Sequence, residues 1–213
     1  MNNITNFLRD AANAEEFVGR YFAYMAELLS RMETATIAAF IGELETARVG
    51  QHTVFVAGNG GSASTASHMA TDLSFGTRMG GLSPPFRVLA LTDNAALMTA
   101  AANDECYEDI FVSQLRIHYR PGDYLVVISA SGNSTNVLRA AQWVRGQGGR
   151  VLGLVGFDGG MLKDLCDVLL HVRTPKGEYG PVEDLHLMLN HVVAAWLRHR
   201  AHVEQGFYKP AAI

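Results

Sequence analysis

Five short apolar runs, Thr53 to Ala57, Arg87 to Thr92, Tyr124 to Ser129, Arg150 to Val155 and Val168 to Val172, narrow the possible folds sharply. A strand that is apolar at nearly every position, rather than at every second one, has to be covered on both faces. Such strands alternating with helical segments imply a parallel sheet in an α/β protein. The chain therefore reads as a three-layer α/β sandwich with a five-stranded, Rossmann-like parallel sheet. In sheets of this kind ligands sit beyond the carboxyl ends of the strands. Those ends here are Gly58-Asn-Gly-Gly-Ser62, Thr92-Asp93 and Ser129-Ala-Ser-Gly-Asn-Ser134, so the polar residues collect where a site is expected.

Ahead of the sheet, residues from about Glu15 to Arg48 carry helical apolar spacing, from Phe17, Tyr21 and Met25 through Leu28 to Phe40 and Leu44. This predicts two helices, or one with a break near Glu33-Thr34, that cover one sheet face, pack against another subunit, or do both. The expected layout is a helical arm over 1–48 belonging to the same domain, a main body over 49–205 and a tail over 206–213. With 17 basic against 21 acidic residues, the net charge of -4 argues against a basic nucleic-acid-binding face. No apolar run approaches the roughly 20 residues of a membrane span, and no signal core opens the chain, so a cytoplasmic protein without membrane partners is expected. Cys106 and Cys166 form neither a disulfide framework nor a zinc knuckle.

The first glycine turn, Gly58 to Ser62, lets the backbone bend and approach a ligand closely, and Ser62 stands where a helix begins. Free amide hydrogens and the positive helix end then face an anion. The same turn satisfies a relaxed dinucleotide fingerprint, Gly58-x-Gly60-x-x-Ala63, with Asp93 as a ribose ligand, and Ser62 or Ser134 alone reads equally as a helix cap. The second loop, Ser129 to Ser134, decides between these readings: it too follows an apolar strand and opens a helix. Two serine- and glycine-rich loops facing each other suit one phosphate on a small sugar. The absence of a Walker lysine argues against nucleotide triphosphate hydrolysis.

On the first of these helices His68 and Asp72 lie four apart and share a face. A last helix, from about Pro181 to Arg200, places Leu185, Met188, Leu189, Val192 and Trp196 on one side and Glu183, His186, Asn190 and His191 on the other. The second set reads as a solvated face or, taken with His68 and Asp72, as a cluster with acid-base or metal chemistry.

Across nearly its whole length the chain resembles the SIS (sugar isomerase) domain, and specifically the phosphoheptose isomerases. The resemblance rests on Gly58-Asn-Gly-Gly-Ser62, His68 through Asp72, Leu91-Thr-Asp93, Asn103-Asp104 with Tyr107-Glu108 and Phe111, Ser129-x-Ser-Gly-Asn-Ser134, and His186 with His191. It implies conversion of sedoheptulose 7-phosphate to D-glycero-D-manno-heptose 7-phosphate through an enediol, in a homotetramer with sites shared between subunits. It implies that Asn59, Gly60, Gly61, Ser62, Thr92, Asp93, Ser129, Ala130, Ser131, Ser134 and Glu183 hold the phosphorylated sugar, and that Asp72 and His191 exchange protons. It further implies zinc on His68, Asp72, Glu183 and His191, as in some members. The family's glutamate is Asp72 here, its glutamine Glu183, a threonine Ala130 and an aspartate Gly180. Adjacent carboxylates at Asp72 and Glu183 would repel without a cation, so a stronger dependence on metal than in a glutamine-bearing relative is expected. The same resemblance admits a non-enzymatic adaptor that binds the replication initiator, a sugar-phosphate sensor, or an isomerase of another sugar phosphate.

Overall fold

The computed structural model describes residues 2–204, so the expected tail over 206–213 lies outside the described residues. Among those residues five strands form one parallel sheet in the order β2-β1-β3-β4-β5: β1 (Thr53–Gly58), β2 (Arg87–Ala90), β3 (Tyr124–Ser129), β4 (Arg150–Gly156) and β5 (Val168–Val172). The second strand stops two residues short of the expected end. Leu91 still donates its N–H to Val56 O at 2.9 Å, but the chain then turns, so Thr92 and Asp93 stand at the strand's mouth rather than in it.

Alternation along the strands builds two cores. Val54, Val56, Tyr124, Val126, Ile128, Leu152 and Leu154 face one side, and Phe55, Ala57, Leu125, Val127, Val151 and Val155 face the other. The first face is covered by α2 (Ala14–Ser30), α3 (Thr34–Val49), α4 (Gly61–Thr71), which is followed by the short α5 (Thr77–Met79), and α9 (Tyr179–Glu204). The second is covered by α6 (Ala95–Asp104), α7 (Ile110–His118) and α8 (Thr135–Gly146). The double cover accounts for the apolar runs of β1, β3 and β4, whereas at the edge Leu89 of β2 stays half exposed.

The two helices expected between Glu15 and Arg48 are α2 and α3, and a third precedes them. This additional α1 (Asn3–Asp10), capped by the Asn2 side chain, sets Ile4 and Phe7 against the core; its apolar spacing runs over only eight residues, too short to stand out in the sequence. The break between α2 and α3 falls at Arg31–Glu33, where it was expected. Glu178, 1 % exposed, ties this arm to the body: its carboxylate accepts from Asn3 N–H and from Tyr24 Oη, each at 2.6 Å. Tyr21 Oη donates to Asp184 at 2.8 Å on α9. Burial and these carboxylates push both tyrosine hydroxyls up to about 12. No helix among the described residues is long and apolar enough to cross a membrane.

Helix α9 departs from the expected division of faces. His186 and Asn190 are fully buried, whereas Met188, Val192 and Trp196 are exposed. The helix packs on β4, β5 and α4 at once, so its inward face runs through Val182, Leu185, His186, Leu189, Asn190, Val193 and Leu197. A hydropathy pattern cannot reveal a buried face that includes two polar residues.

Candidate active site at the sheet switch point

The strand order reverses between β1 and β3, and the pairing of Gly58 with Ile128 sets the loops that follow side by side. In doubly wound sheets this switch point is where ligands bind. The two loops are cross-linked here by reciprocal amide bonds: Asn59 Nδ2 donates to Asn136 Oδ1 at 2.8 Å and Asn136 Nδ2 returns to Asn59 Oδ1 at 2.9 Å. Tyr107 Oη adds a third bond, to Asn59 Oδ1, at 3.2 Å. Asn136 and Tyr107 were not among the expected ligands; they position the loop.

Gly60 caps α4 with φ 56°, a left-handed conformation that favours glycine. Neither Ser62 nor Ser134 serves as a side-chain cap, so the competing structural role for these hydroxyls is not realised. Instead Ser134 Oγ faces Ser129 Oγ at 3.3 Å, and the amide of Gly132 donates to Ser129 Oγ at 3.2 Å. Ser131 Oγ accepts from Asn133 N–H at 3.2 Å, while Ala130 O accepts from Gly156 N–H at 3.0 Å and pins the loop to the end of β4. On the β2 side, Ser67 Oγ bonds to Asp93 and lies 3.2 Å from Thr92 Oγ1. Together the loops form a small polar cradle of hydroxyls and amides at two helix starts.

Two turns along α4, His68 meets His191 of α9, with Nε2 to Nε2 at 3.2 Å, and its Nε2 stands 3.3 Å from Asp72 Oδ2. Donors at about 2.05 Å from a tetrahedral cation are about 3.3 Å apart, so this trio fits a divalent metal. Asp72 is held from behind: Asn190 Nδ2 donates to Oδ2 at 3.0 Å and Arg198 Nη2 to Oδ1 at 2.9 Å. From Asp72 to Gly76 the helix widens into a π-helical turn, a local distortion frequent at functional sites.

Glu183 is not with the trio. Its carboxylate lies against Gly61 at the start of α4, where any Cβ would collide with it. Burial, then the neighbouring Asp184 charge, raises its pKa above the usual glutamate value. The expected crowding of Asp72 and Glu183 therefore does not occur in this arrangement, because α9 turns the two toward different ends of α4. His186, also quoted in the resemblance, is remote from solvent, and burial lowers it to about 4.

Fold and site define a phosphosugar-binding α/β domain, and sequence comparison agrees: the SIS domain family matches residues 20–156. A phosphoheptose isomerase of Mycobacterium tuberculosis (strain H37Ra) is 36% identical over 205 residues, 94% of this chain and 97% of its own length. Another, from Chlorobium phaeobacteroides, is 36% identical over 178 residues, covering 81% of this chain and 76% of the relative. The solved structure of phosphoheptose isomerase GmhA from Neisseria gonorrhoeae superposes with a TM-score of 0.75 at 30% identity, over 88% of this chain and 100% of that one. The chain belongs to the phosphoheptose isomerases of the SIS-domain family.

Proposed function

We propose that the protein isomerises sedoheptulose 7-phosphate to D-glycero-D-manno-heptose 7-phosphate through an enediol. The observation that carries this reading is that one helix, α4, joins the hydroxyl-lined switch-point loops to the His68, Asp72 and His191 cluster. Asn59 to Ser62 and Ser129 to Ser134 would take the phosphate, with Thr92 and Asp93 facing the sugar hydroxyls. Proton transfer beside a carbonyl needs a base and an acid within about 3 Å of the atoms concerned. Asp72 would take the first role and His191, an exposed member of the trio, the second.

Zinc is the cation this donor set fits best, two imidazole nitrogens and a carboxylate with a fourth position open to substrate. When bound it would polarise the sugar oxygens. His68, Asp72 and His191 would hold it through the same atoms that would serve as base and acid in its absence, and Glu183 would join only if its side chain left Gly61.

We also read the protein as a homo-oligomer, a tetramer by resemblance. What supports this is apolar surface on the helices flanking the sheet: Val18 and Phe22 of α2 and Met188, Val192 and Trp196 of α9 are all exposed. The arm over 1–48 is read as part of the same domain, given the Glu178 and Tyr24 contact. Purified protein offered a panel of ketose phosphates, with its metal content measured on the same sample, tests the activity. Turnover confined to sedoheptulose 7-phosphate supports the reading, and preference for another ketose phosphate would redirect it.

A further inference from the structure

Arg198 lies seven residues beyond His191 on α9, two turns along nearly the same face, and its sequence surroundings mark it as an ordinary surface cation. Its guanidinium nevertheless reaches Asp72 Oδ1 at 2.9 Å, across 126 positions of sequence. The route passes over Gly76, the last residue of the π-helical turn that Asp72 begins: a Cβ there would stand 3.3 Å from both Nε and Nη2 of Arg198. Widened helix, glycine and guanidinium thus fit together as a unit.

Asn190 completes it. The side chain is fully buried and gives Nδ2 to Asp72 Oδ2, while its own Oδ1 finds no partner among the described residues. A buried amide oxygen left unpaired is costly, and the reverse orientation would set it against a carboxylate oxygen. The amide is oriented for Asp72 at its own expense.

We propose that Arg198 and Asn190 are positioning residues that fix the Asp72 carboxylate in one rotamer, Oδ1 tied to the guanidinium and Oδ2 turned to His68. This rests on the assignment of Asp72 to proton transfer. The short aspartate side chain has few ways to reach a reacting carbon, and a misplacement of about 1 Å can cost on the order of a hundredfold in rate. Arg198 is 44% exposed and its ion pair adds little to stability, so its consequence lies in orientation.

The test is steady-state turnover of sedoheptulose 7-phosphate by the full chain carrying Arg198→Met, Arg198→Lys, Asp72→Asn, and Asp72→Asn with Arg198→Met. Arg198→Met should lower kcat by about tenfold or more with KM within about twofold, as expected for a group that never touches substrate. Arg198→Lys should recover most of the loss, and Arg198→Met should cost nothing further in the Asp72→Asn background. An unchanged or raised kcat in Arg198→Met, or a raised KM with kcat preserved, would overturn the proposal. If Asp72→Asn is inactive while Arg198→Met is not, the clamp alone fails. Full turnover by Asp72→Asn removes the assignment on which the clamp rests.

Discussion

His68 and His191 face each other nitrogen to nitrogen at 3.2 Å, their ring planes 66° apart. Two imidazole nitrogens at that distance cannot both be bare acceptors, so they share a proton or a cation. With Asp72 Oδ2 alongside, the three donors have the spacing of a divalent-cation site. Protein purified without chelators should carry about one divalent metal ion per chain by elemental analysis. His68→Ala should lose it at a metal concentration that saturates the parent; full retention would refute the three-residue site.

The cradle predicts a separation of kinetic constants. Ser131→Ala removes a hydroxyl that the proposed function assigns to the phosphate and not to proton transfer. KM for the sugar phosphate should rise about tenfold, the size of one lost hydrogen bond to a charged group, with kcat little changed. A normal KM would show that the phosphate binds elsewhere.

His186 gives the fold a pH dependence. Fully buried, with only the Val155 backbone near its ring to favour the charged form, it is held neutral, burial lowering its pKa from 6.5 to about 4. Between those values the unfolded chain binds the extra proton, so stability falls as pH drops below about 6.5 and this contribution is constant above it. From pH 7 to pH 5 the loss should be about 2 kcal/mol. Urea unfolding at both pH values should show a drop in the parent that is smaller by this amount in His186→Leu; equal drops would refute the assignment.

Tyr24 and Glu178 predict how firmly the arm is attached. Tyr24→Phe leaves a 1 % exposed carboxylate with one donor fewer and should cost about 1–3 kcal/mol in urea unfolding. No measurable loss would mean that the arm is held by its apolar contacts alone.

Much of the fold was legible because each strand is an uninterrupted apolar run ending in a distinctive loop, and β1, β3 and β5 need little beyond local pattern. The pairing of His68 with His191 was suggested by the polar faces of their two helices and made specific by the family resemblance, since 123 residues separate them. Arg198 escaped notice, and Asn190 was read only as part of a polar face, because a carboxylate clamp between two helices leaves no periodic trace. Met188, Val192 and Trp196 misled in the opposite direction: their apolar spacing is real, but it faces outward. Glu183 shows the limit of matching positions, because the resemblance sets it in the cluster while its side chain lies on Gly61 at the other end of α4.

The central claim, proton transfer at this cluster on a heptose phosphate, is tested most directly by proton NMR of sedoheptulose 7-phosphate in heavy water with the parent and with His191→Gln. The account predicts that the parent forms the aldoheptose 7-phosphate with deuterium entering at C2, and that the variant, equally folded, is slower by about a hundredfold or more. Equal rates for the two proteins, or no conversion by a metal-loaded parent, would contradict it.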